Sequence, residues 1–151
     1  MGLTPVKFGD RLVELLPQLM QEISRYENNY VTTGKITCQQ FLVLDQLASQ
    51  DQWTMNEFVH SMDKKFSSAT GMIDRLVKHG LVKRKRGEDD RRTVFVAITD
   101  KGRSIIDEVY AQKKQGIIHL FKRLDSTERQ NYLDIIEKLV NSLSSAQGGQ
   151  R

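Results

Sequence analysis

The chain has 151 residues, of which 38% are hydrophobic and 28% are charged, and its formal net charge is +4. This composition excludes a collagen-like, low-complexity or wholly disordered chain and predicts one compact domain, with or without extended arms. The single cysteine excludes an internal disulfide, no apolar run is long enough to cross a bilayer, and the N-terminus lacks the pattern of a secretory signal. We therefore expect a cytoplasmic protein.

The first half of the chain predicts three helices. Residues 6–31 carry apolar side chains at spacings of three and four, which is typical of a long amphipathic helix. Two later segments begin as capping boxes, in which a Thr hydroxyl and a Gln or Glu three residues on satisfy backbone donors. Thr37 opens a helix with Phe41 and Leu44 on its apolar side, and Thr54 opens a short helix.

The second half predicts a short helix, a hairpin and two more helices. Ser67 is a suitable N-cap and Gly80 a suitable C-cap for the short helix. Residues 81–86 and 93–98 have the composition of strands joined by a polar turn, which indicates a charged β-hairpin. Helical spacing resumes over residues 100–143, with a new start at Asp125, and we expect residues 144–151 to form a disordered tail.

This order of elements is that of a winged helix-turn-helix. We predict a mainly α-helical chain with a small β-hairpin wing, in which residues 37–99 form the winged helix-turn-helix and residues 6–31 and 100–143 form long flanking helices. The apolar stripes at residues 8–26 and 105–143 are larger than a small central unit could cover. We therefore expect the flanking helices to bury each other across a two-fold homodimer.

The basic residues are concentrated between residues 75 and 92. That segment holds eight Lys or Arg against three Asp or Glu, a net charge of +5, which leaves the rest of the chain near −1. A basic block is more often a solvated face than a binding surface, so charge alone favours a nucleic-acid partner only weakly.

Five short motifs in register resemble the successive signatures of the MarR family of bacterial transcriptional regulators. They are Ser67-Ser68-Ala69-Thr70, Ile73-Asp74-Arg75-Leu76, Gly80-Leu81-Val82, Asp90-Arg91-Arg92 and Ile98-Thr99-Asp100-Lys101-Gly102, preceded by a similar stretch at residues 37–44. The resemblance implies a dimer that binds pseudo-palindromic double-stranded DNA, with a recognition helix in the major groove and a wing in the minor groove. It also implies a repressor role, very often relieved by a small aromatic ligand or by oxidation.

The candidate DNA-binding residues follow from helix geometry together with this resemblance. If the apolar side chains of the predicted recognition helix face inward, its outer face carries Ser67, Ser68, Thr70, Gly71, Arg75 and Lys78. Gly71 departs from the family pattern, in which a longer side chain is common, and would let the backbone approach DNA closely. The candidate wing residues are Lys83, Lys85, Arg86, Asp90, Arg91 and Arg92.

We predict that Arg92 inserts into the minor groove and that Asp90 holds its guanidinium through a paired hydrogen bond. The alternative is that both are solvated turn residues.

The sequence shows no catalytic or metal-binding constellation, so we expect no enzyme activity and no cofactor. The three histidines and Cys38 lack paired metal-ligand spacing, and no phosphate-binding glycine loop or nucleophile elbow occurs. Tyr26, Tyr30 and Trp53 could line an effector pocket, but aromatic residues at such spacing more often belong to a core.

Two alternatives to a ligand-relieved DNA-binding repressor stay open. One is a regulator that senses oxidation through Cys38, and the other is a winged helix used as a protein-interaction module. The second predicts an apolar recognition face, whereas this face carries hydroxyls and cations, which favours DNA.

Overall fold

A computed structural model of the chain describes residues 2–62 and 69–147. The helices and strands of these residues are, in chain order, α1 (Pro5–Ser24), α2 (Cys38–Ala48), β1 (Trp53–Thr54), α3 (Met55–Ser61), α4 (Ala69–Lys78), β2 (Val82–Arg86), β3 (Val94–Ile98), α5 (Asp100–Phe121) and α6 (Ser126–Gln147). The chain divides into a winged unit, residues 26–114, and a terminal unit, residues 1–25 and 115–151. The predicted fold class is confirmed.

Capping boxes start α2 and α3, as predicted. The Thr37 hydroxyl accepts from the Gln40 N–H at 3.1 Å, and the Gln40 side chain accepts from the Thr37 N–H at 2.8 Å. Thr54 and Glu57 make the same exchange at 3.2 and 3.0 Å. The Thr54 hydroxyl also donates to the Glu57 carboxylate, and this bond, followed by that from the Thr54 N–H, holds the pKa of Glu57 below its ordinary value. Because each box satisfies backbone donors that a helix start leaves unpaired, both helices begin where the sequence indicates.

Helix α1 ends at Ser24, so the predicted continuation to residue 31 is wrong. The chain turns instead around Asn29, which is only 2% exposed. The Asn29 Oδ1 accepts from the N–H groups of Val31 and Thr32 at 3.0 and 3.2 Å, and its Nδ2 donates to Gln112 Oε1 at 3.2 Å. An Asn side chain that bonds nearby backbone N–H groups stabilises a turn in place of a helix.

A glycine turn ends α4, which confirms Gly80 as its C-cap glycine. Gly80 has a φ of +71°, a left-handed conformation that other residues rarely adopt. The N–H of Leu81 donates to the Leu76 carbonyl at 2.9 Å, and the N–H of Gly80 donates to the Val77 carbonyl at 3.0 Å. These two bonds are those of a Schellman motif.

Helix α5 begins directly against that turn. The Thr99 hydroxyl donates to the Gly80 carbonyl at 2.7 Å, and the Thr99 N–H donates to the Leu81 carbonyl at 3.0 Å. The same hydroxyl accepts from the N–H of Gly102 at 3.1 Å, which caps α5. A Cβ on Gly102 would lie 2.3 Å from the Leu81 carbonyl oxygen, so only glycine permits this approach.

The sheet has one strand more than predicted. Strands β2 and β3 form the expected antiparallel hairpin, with Val82 opposite Ile98. Strand β1 pairs with the other edge of β3, with Trp53 opposite Val96, and gives the order β1-β3-β2. Two residues carry too little pattern to identify a strand. Trp53 is buried and packs edge-on against Phe58, so it belongs to the core.

The core of the winged unit includes the first part of α5. Ile105, Ile106 and Val109 are 3–5% exposed and pack in the same cluster as the buried side chains of α2, α3, α4 and the sheet. The prediction that they belong to a dimer stripe at residues 105–143 is therefore wrong for this part of α5. Among the described residues of α5 and α6, the exposed large apolar side chains are Tyr110 and others from Ile117 onward.

Among the residues that the structure describes, the helices of the terminal unit contact each other but bury no large apolar side chain. A Cβ on Gly116 of α5 would lie 2.6 Å from the Ile23 carbonyl oxygen of α1, so the two backbones approach closely there. The rings of Phe121 and Tyr132 lie 5.0 Å apart. No described residue of α1 is buried, and Val13 on α1 is 73% exposed. A large apolar surface is thus left open in the single chain.

Helix α6 continues to Gln147, so residues 144–147 are helical and not part of a disordered tail. No Gly or Pro occurs between Asp125 and Gly148, so the helical pattern has no earlier stop signal. Residues 148–151 lie outside the described residues. Within residues 2–62 and 69–147, no helix is both long enough and apolar enough to cross a membrane.

Candidate nucleic-acid interface

Helix α4 buries one side and exposes the other, as its sequence predicts. The buried side carries Ala69, Ile73 and Leu76. The exposed side carries three of the candidate residues, Thr70, Arg75 and Lys78. A hydroxyl and two cations therefore share one accessible face.

The three other candidate residues of the predicted recognition helix are either less exposed or outside the described residues. Gly71 is half-buried, as is Met72. Ser67 and Ser68, together with the predicted N-cap role of Ser67, fall in residues 63–68, outside the described residues.

An ion pair joins α4 to the wing. The Arg84 guanidinium lies 2.9 Å from the Asp74 carboxylate, with both side chains about half exposed. Such a surface pair contributes at most about 1 kcal/mol to stability, but it neutralises Arg84 and fixes β2 beside α4. Sequence reasoning missed the pair because its partners lie on different elements. Arg75, the next residue after Asp74, makes no side-chain hydrogen bond or ion pair with any described residue.

Strand alternation divides the wing cations between two faces of the sheet. Lys83 and Lys85 lie on one face, and Arg84 and Arg86 on the other. Lys85 pairs with Glu88 at 2.6 Å. All the candidate wing residues are exposed, and within the described part of the chain those with no acidic partner are Lys83, Arg86, Arg91 and Arg92.

Asp90 organises the wing turn and does not hold the Arg92 guanidinium, so the predicted pairing is wrong. Its Oδ1 accepts from the backbone N–H of Arg92 at 2.9 Å, and its Oδ2 accepts from the Thr93 hydroxyl at 3.4 Å. The turn is closed by the Gly87 N–H, which donates to the Thr93 carbonyl at 2.9 Å. A short carboxylate reaches a backbone N–H two residues on more readily than the end of a long side chain.

The wing turn faces the start of α3 across an open cleft of about 440 Å³. The cleft is lined by Thr54, Met55, Asn56, Asp90, Arg92, Thr93 and Val94. The structure therefore places Arg92 beside the polar first turn of α3, which the sequence did not indicate.

The candidate redox residue, Cys38, is the exposed first residue of α2. It is the sole cysteine of the sequence, so a disulfide would need a thiol from another molecule. Among the residues that the structure describes, no group of three or more His, Cys, Asp or Glu side chains is arranged to hold a metal ion.

The family model described as transcriptional regulator SarA/Rot matches residues 26–109, more than half of the chain. The chain belongs to the SarA/Rot family of transcriptional regulators. The match covers most of the winged unit and includes α4, the wing and the start of α5.

Curated relatives of this SarA/Rot-family regulator are also helix-turn-helix regulators. The Bacillus subtilis protein YwhA, an uncharacterized HTH-type transcriptional regulator, is 29% identical over 87 residues, which are 58% of this chain and 63% of that protein. The transcriptional repressor MprA of Escherichia coli is 25% identical over 134 residues, 87% of this chain and 76% of that protein.

Solved structures place the regulator among the MarR-type proteins. YusO from Bacillus subtilis is 25% identical, with a TM-score of 0.73 over 90% of this chain and 94% of that one. A mutant of MarR from Escherichia coli, solved in complex with operator DNA, is 27% identical, with a TM-score of 0.57 over 85% of this chain and 93% of that one. The predicted family is confirmed, and with it a DNA-binding regulator that is not an enzyme.

Proposed function

We propose that this SarA/Rot-family regulator is a homodimeric repressor that binds a pseudo-palindromic operator through α4 and the wing and is released by a small ligand. The observation that carries the proposal is the set of exposed cations on these two elements that no acidic group of the described residues neutralises. They are Arg75, Lys78, Lys83, Arg86, Arg91 and Arg92.

The two elements suit the two grooves of DNA. The major groove admits an α-helix, and an exposed Arg75 could make a bidentate contact to guanine there. The narrow minor groove has a strong negative potential, which favours an arginine at the tip of a thin hairpin, such as Arg92. The name of MprA as a repressor and the operator complex of MarR support the same role for this chain.

The exposed apolar surface of the terminal unit supports the homodimer. On α1 and α6 together it includes Phe8 and Leu139, each more than half exposed in the single chain. Soluble monomers rarely expose so much contiguous apolar surface. A two-fold dimer would bury it and would present two copies of α4 to two half-sites.

Selection of bound duplexes from a random pool is expected to recover a pseudo-palindrome with half-sites about 10 base pairs apart, because both copies of α4 must enter successive major grooves on one face. Affinity for the selected duplex should fall steeply with salt, with a log-log slope of about −0.9 for each phosphate contacted. Fluorescence anisotropy at several salt concentrations measures both quantities.

A scrambled duplex of the same length is the control and should bind more weakly at every salt concentration. Selection that enriches no sequence, or binding that does not respond to salt, would contradict the proposed DNA-binding mode.

Substitutions at Asp90 are expected to separate its charge from its hydrogen bonds. Asp90→Asn keeps an oxygen that accepts from the Arg92 N–H and removes a charge that repels phosphate, so operator binding should be as tight as in the parent or tighter. Asp90→Ala removes the acceptor as well, and the loosened turn should weaken binding roughly three- to tenfold, the size of one or two net hydrogen bonds.

Asp89→Ala is the matched control, because Asp89 is an exposed neighbour with no side-chain hydrogen bond to a described residue. It should tighten binding slightly, as charge removal alone would. If Asp90→Ala tightens binding as much as Asp89→Ala does, Asp90 acts only through its charge.

A further inference from the structure

The outer edge of β2 carries backbone groups that no described residue pairs. In an antiparallel ladder, alternate residues of a strand bond to the same neighbouring strand. The Thr99 N–H donates to the Leu81 carbonyl at 3.0 Å, so every second residue from Leu81 onward faces β3. The N–H and C=O groups of Arg84 and Arg86 therefore point away from β3, at the edge where the strand order β1-β3-β2 ends.

This edge is accessible to another strand. Every residue from Lys83 to Arg86 is exposed. A strand edge with unpaired N–H and C=O groups can accept an extended segment of another chain, whose backbone then supplies the missing hydrogen bonds. The side chains of the edge strand decide which segment fits.

The side chains of β2 favour an acidic strand. Lys83 and Lys85 lie on one face of the sheet and Arg84 and Arg86 on the other, so an added strand meets a cation at four successive positions. Opposite charges on neighbouring strands stabilise the pairing, and like charges destabilise it. A second copy of β2 would set cations against cations. The charges of this edge therefore exclude self-pairing and select a partner rich in Asp and Glu.

Two of the four cations are left for such a partner. Arg84 and Lys85 are already paired with acidic side chains of the chain itself. Lys83 and Arg86 have no acidic partner among the described residues, and they lie three positions apart on opposite faces of the strand. Two carboxylates three positions apart on an added strand would neutralise both.

An open cleft of about 400 Å³ lies on the sheet beside this edge. Lys83 and Lys85 line it together with Phe95 and Ala97 of β3. Phe95 is half-buried and lies directly opposite Lys85. An apolar side chain on the same face of an added strand has the carbon atoms of Phe95 within this cleft to pack on.

From the free edge, its cations and the cleft we propose that β2 binds an acidic, extended segment of another protein as a fourth strand of the sheet. The backbone of the segment bonds to Arg84 and Arg86, and its two carboxylates meet Lys83 and Arg86. An apolar side chain between the carboxylates packs towards Phe95.

The same cations belong to the set that is proposed to contact DNA, so the segment and the operator compete for the wing. This part of the inference rests on the proposed function. A bound acidic segment neutralises positive charge that attracts phosphates and occupies one side of the thin hairpin. Binding of the segment therefore weakens operator binding.

Strand addition is tested on the full-length protein without DNA, by titration with the blocked peptide Thr-Glu-Phe-Thr-Glu-Thr and observation of backbone amide signals in two-dimensional NMR. Its glutamates are three positions apart, and its phenylalanine lies between them. The signals of Arg84 and Arg86 are expected to shift most, because their N–H groups gain acceptors.

Two control peptides separate charge from backbone pairing. A peptide with Gln in place of both Glu residues should bind at least about threefold more weakly, because it loses two cross-strand charge pairs. N-methylation of the first Glu and of the Thr two residues after it keeps every charge and removes two backbone donors that would face β2. This peptide should also bind at least about threefold more weakly.

Two substitutions at Arg84 test the edge from the side of the protein. Arg84→Gln and Arg84→Pro both remove the charge and the ion pair with Asp74, but only Pro removes the edge N–H. Because that N–H points away from β3, Pro leaves the β2–β3 ladder intact. Arg84→Pro should bind the peptide at least about threefold more weakly than Arg84→Gln. Slow hydrogen exchange at Lys83 and Lys85 in both variants shows that the hairpin persists.

A double variant tests the charges. Lys83→Gln with Arg86→Gln should weaken peptide binding at least about threefold. Lys113→Gln with Lys114→Gln removes two charges from exposed positions of α5 and should leave binding unchanged.

Strand addition is overturned if the peptide shifts no signal of β2, if the N-methylated peptide binds as tightly as the unmodified one, or if the two Arg84 variants bind equally. The requirement for an acidic partner is overturned if the Gln peptide binds as tightly as the Glu peptide, or if both double variants lose binding equally.

Operator titrations with saturating peptide test the competition. Operator binding should weaken several-fold with the Glu peptide and should not change with the Gln peptide, whereas unchanged binding with both overturns the competition. Failure of the DNA-binding proposal is seen separately, as a selection that enriches no operator, while the peptide titration without DNA still decides whether β2 accepts a strand.

Discussion

Leu139→Glu is expected to convert the proposed homodimer to a monomer and to remove tight operator binding. Leu139 is 57% exposed on the apolar stripe of α6 in the single chain. If the proposed dimer buries this stripe, the substitution places one unpaired carboxylate per protomer in an apolar interface. Burial of an unpaired charge costs several kcal/mol, so the loss over two copies should exceed the free energy that holds an ordinary dimer at micromolar concentration. Analytical ultracentrifugation measures the change.

Lys138→Gln is the matched control, because it lowers the net charge by the same single unit at the adjacent exposed position on the polar side of α6. It should remain a dimer and bind operator. Circular dichroism of both variants checks that the helices persist. A parent protein that sediments as a monomer at micromolar concentration, or a Leu139→Glu variant that remains dimeric, contradicts the proposed interface.

Arg75→Ala is expected to give the largest loss of operator affinity of any substitution on α4. Its guanidinium is exposed and free of partners among the described residues, so its removal leaves the fold intact. A base-contacting arginine is worth about 1 to 3 kcal/mol, and a dimer presents it twice, so affinity should fall by a factor between about 30 and more than 10,000. Anisotropy titrations at one fixed salt concentration measure the loss.

Comparison of two duplexes shows how Arg75 acts. A base contact should reduce binding to the selected operator much more than binding to a scrambled duplex, whereas a phosphate contact should reduce both equally. Arg123→Ala removes the same charge from an exposed position in the terminal unit and should have a small effect on both. If Arg75→Ala leaves operator binding unchanged, α4 is not the helix that reads DNA.

The parts of the fold that the sequence predicts correctly depend on signals within a few neighbouring residues. The capping boxes at Thr37 and Thr54, the glycine turn at Gly80 and the β2–β3 hairpin each close within one local segment. The polar outer face of α4 follows from helical period alone. These local preferences agree with the tertiary structure, so the sequence suffices to find them.

The predictions are wrong where a residue distant in sequence, or the hydrogen bonds of a short side chain, determine the local structure. Asn29 stabilises a turn with help from Gln112, and Ile105 is covered by the winged unit and not by a second protomer. The spacing of apolar residues predicts an apolar face on a helix, but it does not show which surface packs against that face. At the candidate site, the sequence located the cations but could not show that Arg84 is neutralised by Asp74. It also could not show that Asp90 bonds backbone in place of guanidinium.

The close approach at Gly102 has a mechanical consequence. Helix α5 has 22 residues and is therefore about 33 Å long, and its first turn is fastened to the turn after α4 by hydrogen bonds from Thr99 and Lys101. A side chain at position 102 has no room at this joint, because its Cβ would meet the Leu81 carbonyl oxygen. The joint therefore couples the start of α5 to the end of α4, so that a substitution such as Gly102→Ala would disturb both helices at once.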